Sequence, residues 1–176
     1  MNALWSYFWP IFGFGLIAGV IAGSLGFRLP RLASQLPKWR RRRLIALTAG
    51  AAICSAGAAL WHGPLGGADV FTAKVERSAR ATLDAYEMNQ VTAHLHRAPL
   101  TRRLVLAGAA DDFQTSELVR IMGTLPGVSR AQWTAAPAGP PLLLEAIGCT
   151  LLGFLFGLLL AYLVELRRRY NAQWNW

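Results

Sequence analysis

The sequence predicts an α-helical membrane protein with three transmembrane helices and a small α+β extramembrane domain of order α-β-β-α-β. Three observations carry that prediction. The apolar runs Leu4–Phe27, Leu44–Trp61 and Leu142–Val164 are each long enough to cross a hydrocarbon core. Between the second and third runs lies a stretch of ordinary charge density with helix and strand periodicities. The remaining basic residues gather in two clusters beside the apolar runs. Short Arg- and Lys-rich segments stay cytoplasmic during insertion, so these clusters set orientation.

Charge places the protein among membrane proteins and away from nucleic-acid binders. The 176-residue chain is 54% hydrophobic and carries a net charge of +9. Arg28, Arg31, Lys38, Arg40, Arg41, Arg42 and Arg43 supply seven of the eighteen basic residues, and Arg167, Arg168 and Arg169 supply three more. The stretch from Leu65 to Gly139 balances eight basic residues against seven acidic ones. The excess therefore sits where membrane topology requires it, and no basic groove for phosphates is implied.

Residues 1–27 form the first predicted span. At about 1.5 Å per residue its apolar run reaches about 36 Å. Its positive charge follows the apolar core, the reverse of a cleaved signal peptide, so the segment is expected to be retained with its amino terminus in the periplasm. Trp5, Tyr7, Phe8 and Trp9 are expected at interface depth, which amphipathic aromatic rings favour. Gly15, Gly19 and Gly23 recur every four residues and share one face, where another helix can approach closely. Residues 28–43 are read as a basic cytoplasmic loop, with Arg40–Arg43 as its anchor. Residues 44–62 form a second span of small residues suited to tight packing. His62-Gly-Pro-Leu-Gly-Gly67 then reads as a flexible linker.

Residues 69–134 carry the pattern of a small folded domain. Phe71, Val75, Ala79, Leu83 and Tyr86 form one stripe of a helix, with Asp69 as its cap and Glu76 paired to Arg80. Val91, Ala93 and Leu95 alternate with Thr92, His94 and His96, which predicts a half-buried strand. Arg103–Gly108 predicts a second strand. Asp111 and Gln114 have capping-box spacing ahead of a helix that buries Leu118, Ile121, Met122 and Leu125. Pro126-Gly127 ends that helix, and Val128–Trp133 predicts the last strand.

This order, with Leu-Val-Leu-Ala-Gly108 and Leu125-Pro-Gly127-Val128, resembles the BON domain, a small bacterial envelope module. Gly108, Gly127 and Val128 stand where that family has a strand ending in glycine and a Gly-Val opening the final strand. The resemblance covers Asp69–Thr134 and none of the spans. It implies association with phospholipid or with another envelope protein. Two departures are visible: His-Arg-Ala-Pro-Leu-Thr-Arg replaces the tight turn between the first strands, and Ala131 replaces a larger apolar residue.

Residues 135–141 read as a stiff Pro-rich linker and residues 142–164 as the third span. Gly153 and Gly157 offer a second helix-packing face. Residues 165–176 form a cytoplasmic tail, with Arg167, Arg168 and Arg169 as its topology anchor and an aromatic, polar end. Two separate charge clusters thus agree on one three-pass topology in a bacterial inner membrane.

No catalytic, cofactor-binding or metal-binding residues are assigned. His94 and His96 share one strand face and could supply two metal ligands, but a solvated face is the simpler reading. Glu145 is an intramembrane polar residue near the end of its span, open to proton handling, an interhelical hydrogen bond or snorkelling. Cys54 and Cys149 fall at similar depth, where two small packing residues are expected rather than a disulfide. No phosphate loop, nucleophile elbow or paired-Cys motif is present. The expectation is a non-catalytic protein with no cofactor that displays a periplasmic lipid- or protein-binding domain. Its expected partners are membrane lipids and other membrane or periplasmic proteins, in a hetero- or homo-oligomer. The alternatives are an accessory or assembly subunit of a respiratory, photosynthetic or secretory complex, and a small oligomeric channel built on Glu145.

Overall fold

A computed structural model describes residues 2–28, 36–133 and 139–172. The elements are α1 (Ala3–Gly26), α2 (Leu36–His62), α3 (Gly67–Ala85), β1 (Thr92–Arg97), β2 (Leu100–Ala107), α4 (Asp112–Gly123), β3 (Arg130–Gln132) and α5 (Leu142–Ala172). The protein is mostly helical, and α1, α2 and α5 are long and apolar enough to cross a membrane. The chain divides into two compact units. One comprises Met1–Phe8 with Trp61–Glu145, the other Trp9–Leu60 with Ala146–Trp176.

In the first unit, α3 turns Phe71, Val75, Ala79 and Leu83 inward, each essentially fully buried. That is the one-sided stripe a surface helix needs to pay for its ordering. Tyr86 departs from the expected stripe: it caps α3 and is 53% exposed, because the helix ends one residue before it. Asp69 is not the cap either. The helix begins two residues earlier, with Gly66 at its amino end, and Asp69 lies in the first turn, where the dipole favours a carboxylate. The expected flexible linker is a tight turn in which the Gly66 amide donates to the Gly63 carbonyl (2.9 Å).

The sheet has order β1-β2-β3, antiparallel between β1 and β2 and parallel between β2 and β3. A parallel pair needs a crossover, and α4 supplies it. Arg97 pairs with Leu100, so only Ala98 and Pro99 make the hairpin turn. The seven-residue connection expected from sequence is therefore mostly strand. Ala93 pairs with Leu106, and Leu95 with Leu104, which pairs in turn with Ala131. All five are buried, so they define the inner face. Against it α4 brings Leu118 and Met122, with Ile121 and Leu125 only half-buried. The capping box at Asp111 and Gln114 is formed, with both reciprocal hydrogen bonds present. The last strand is three residues long, shorter than the Val128–Trp133 expected.

In the second unit, α2 runs through Lys38–Arg43, so the segment expected as the later part of a loop is helical. Lysine and arginine are good helix formers, and nothing between Lys38 and Arg43 breaks the pattern. For the same reason α5 continues through Arg167–Arg169 to Ala172. The earlier part of the basic segment (29–35), residues 134–138 of the Pro-rich stretch, and the tail beyond Ala172 lie outside the described residues.

Candidate functional site

Glycine decides how the helices of the second unit meet. A side chain at Gly15 would strike the Thr150 carbonyl, one at Gly19 the Phe154 carbonyl, and one at Gly23 the Ala161 methyl. From the other side, Gly153 would strike the Phe12 carbonyl and Gly157 the Leu16 carbonyl. Contact positions rise together along both helices, so α1 and α5 are parallel. Their backbones touch where hydrogen replaces a side chain, the arrangement that small-xxx-small spacing permits. On α2, Gly57 faces the Phe14 ring, while Gly50 faces Ala22 and the Phe154 ring. Here positions run in opposite directions, and α2 is antiparallel to α1. Ala22, Cys54 and Phe154 form the buried centre, flanked by Ala18, Ala51, Leu151 and Leu158. Cys54 is a free thiol, so no bond joins it to Cys149.

The basic clusters come together at one end of this unit. The Arg169 guanidinium donates to the Phe27 carbonyl (2.9 Å) and to Glu165 (3.3 Å). The Arg43 guanidinium lies 5.3 Å from the Phe27 ring centroid and 5.6 Å from that of Trp39. A cation at the carboxyl end of α1 is favoured by the orphan carbonyls and the helix dipole, and stacking on aromatic faces adds to it. A cleft of about 240 Å³ opens here between α1 and α5, reaching from Val20 to Arg28 on one side and from Leu160 to Arg168 on the other.

In the first unit, Glu145 in the first turn of α5 accepts a hydrogen bond from Arg102 of β2 (3.1 Å). The side chains are 25% and 23% exposed. Arg102 also donates to the Gly127 carbonyl (3.1 Å), so one guanidinium ties together a strand, a turn and the start of α5. Nearby, Thr101 bridges to Pro141, and both Thr101 and Leu142 are buried. Glu76 does not pair with Arg80, as helical spacing suggested. It accepts from the Leu95 amide (3.1 Å) and from Arg97 (3.3 Å), and lies 3.5 Å from His94. Arg80 instead pairs with Asp84 one turn further on. A cleft of about 410 Å³ beside Glu76 is lined by Asp69, Thr72, Ala73, Arg97 and Leu100.

Tyr7 has partners that the sequence did not point to, and it is 1% exposed. Its hydroxyl lies 2.7 Å from His62 Nδ1, and its ring centroid 5.3 Å from that of Phe71. The two histidines of β1 do not act together: His94 faces Glu76, and His96 Nδ1 lies 3.0 Å from the Pro99 carbonyl. Among the described residues no group of three or more His, Cys, Asp or Glu side chains is placed to hold a metal.

Two exposed helical pairs carry perturbed acids. Hydrogen bonds from Arg80 hold the Asp84 carboxyl below its usual range, and those from Arg120 do the same for Glu117. No family model, curated protein or solved structure matches this chain.

Proposed function

We propose that the protein is a non-catalytic anchor that holds a small BON-like binding domain at the outer side of a bacterial inner membrane. The observation that carries this reading is the use of Gly15, Gly19, Gly23, Gly153 and Gly157 within the chain itself. A helix face already filled by a helix of the same chain is not reserved for a partner. α1 and α5 leave large apolar residues outward, such as Ile17, Ile21 and Leu159, as lipid-facing surface should be, while α2 exposes Ile53 together with the small Ala49, Ala52, Ala56 and Ala59. The folded domain is then the part free to recognise phospholipid or an envelope protein.

The test places single cysteines at Ser78 and Ser116, exposed positions of α3 and α4, in a chain whose Cys54 and Cys149 are replaced by alanine. Labelling by a membrane-impermeant maleimide in intact spheroplasts is expected at both. Labelling only after permeabilisation overturns the orientation.

A second reading, an accessory subunit of a larger membrane complex, has one observation of its own. An apolar groove of about 320 Å³ runs between α1 and α2, lined by Ile17, Ile21 and Ile53 together with the small Ala18, Ala49 and Gly50. Small residues in its lining would let a further helix lie close. A companion that stays through mild-detergent purification of the full chain, and is lost on Ala49→Leu, favours that reading. The channel reading is the weakest, because the carboxylate it needs at Glu145 is bound by Arg102.

A further inference from the structure

We propose that the cleft between α1 and α5 at the arginine-rich end is a binding site for one anionic phospholipid. Its mouth carries Arg28 and Arg168, and its walls are Val20, Leu160 and Val164, with Ser24 at the rim. Glu165, the acid in the cleft, is engaged by Arg169 at 3.3 Å. Among the described residues neither Arg28 nor Arg168 has a carboxylate partner, so the mouth keeps an unneutralised positive charge of two.

Gly23 and Ala161 line the cleft and meet with almost no side chain between the helices. The same small residues that bring α1 and α5 together thus leave a notch just where the helices reach their basic ends. A volume of about 240 Å³ suits a phosphate headgroup and the start of one acyl chain. The remaining chain would follow the exposed apolar surface of Leu160 and Val164.

The ligand class follows from the cleft having two chemistries at its two ends. Free phosphate would satisfy the arginines but leave the apolar walls unmatched. A zwitterionic lipid would fill the walls but bring its own cation to a mouth that is already positive. A phospholipid of net negative charge satisfies both, as basic pockets between membrane helices do on the cytoplasmic side. The site rests on α1 and α5 crossing a bilayer with this end at headgroup depth.

The experiment is native mass spectrometry of the full chain in a mild non-ionic detergent, with phosphatidylglycerol and phosphatidylcholine offered in equal amounts. One phosphatidylglycerol is expected to be retained, in preference to phosphatidylcholine. The R28Q/R168Q double variant is expected to lower its retention about 30-fold, the effect of two basic residues at an anionic surface. R40Q/R167Q makes the same change in net charge away from the cleft and is expected to retain the lipid. Leu160→Trp, at an exposed position, fills the wall without altering charge and is expected to reduce retention.

Equal retention of the two lipids, equal loss in both double variants, or displacement by millimolar inorganic phosphate each overturns the site. Carbonate washing of membranes separates the failures. A chain released by carbonate does not span a bilayer, and the site falls with that reading. A chain that stays but shows no lipid preference defeats the cleft alone.

Discussion

Gly19 of α1 and Gly157 of α5 lie back to back: a methyl group built on Gly19 comes within 3.0 Å of the Gly157 Cα, and one on Gly157 within 2.9 Å of the Gly19 Cα. No side chain separates the two backbones at this point. Lipid tails are as apolar as leucine, so helices in a bilayer gain little from burying apolar surface against one another. What they gain is close packing, and this seam has it.

That geometry predicts opposite outcomes at glycines in the same two helices. Gly19→Ala and Gly157→Ala push on backbone and should destabilise the folded chain by about 1–3 kcal/mol, as overpacking does. Gly13 and Gly148 have nothing within 4 Å of an added Cβ. Gly13→Ala and Gly148→Ala should therefore be neutral or gain up to about 1 kcal/mol from helix propensity. Denaturation in mixed micelles, followed by tryptophan fluorescence, reads both signs.

The Arg102–Glu145 pair joins β2 to the first turn of α5. Both side chains keep about a quarter of their exposure, so the pair is worth more than a surface ion pair and less than a fully buried one. Glu145→Gln should cost about 1–2 kcal/mol, and the double change R102Q/E145Q less than the sum of the singles. A double-mutant cycle in urea is the measurement. Additive losses would mean that the pair does not couple the two elements.

Asp84 and Glu117 predict an acid-sensitive step in the folded domain. Each has a folded pKa below its unfolded value of about 3.9 for Asp or about 4.3 for Glu, so each adds stability above that value. The contribution is lost as pH falls through the lower, folded pKa. Thermal midpoints should hold from neutral pH down to about 5 and decline below about 4. Asp84→Asn combined with Glu117→Gln should flatten that decline. Both pairs are solvent-exposed, so the effect should be small and should shrink further in high salt.

Tyr7→Phe removes the hydroxyl beside His62 and keeps the ring beside Phe71. The expected cost is about 1 kcal/mol, the usual net worth of one hydrogen bond. Tyr7→Ala also removes the buried ring and should cost about 3–5 kcal/mol. Comparing the two by denaturation separates hydrogen bond from packing. If they cost the same, the ring contributes nothing.

Elements with a strong repeating pattern were legible in the residues alone. The α3 stripe from Phe71 to Leu83, the alternation of Val91, Ala93 and Leu95, the capping box at Asp111 and the three apolar runs each declare themselves locally. Their periodicity is imposed by one helix or one strand meeting one apolar surrounding. The glycine spacing of α1 likewise announced a close approach, because only a missing side chain permits one.

Partners were not legible, since a partner depends on which distant residue the fold brings near. Glu76 had Arg80 at helical spacing but faces Arg97 and the Leu95 amide across the α3–β1 contact. Tyr7 read as one of four aromatics at interface depth, and only the fold shows that it is buried against Phe71, sixty-odd positions along the chain. Glu145 read as open to proton handling, an interhelical hydrogen bond or snorkelling until β2 supplied Arg102. Composition and period thus located most helices, strands and apolar spans, though not the helical course of Lys38–Arg43. The tertiary structure alone decided which helix fills the glycine face and which charges meet, because those contacts join residues whose spacing in sequence carries no signal.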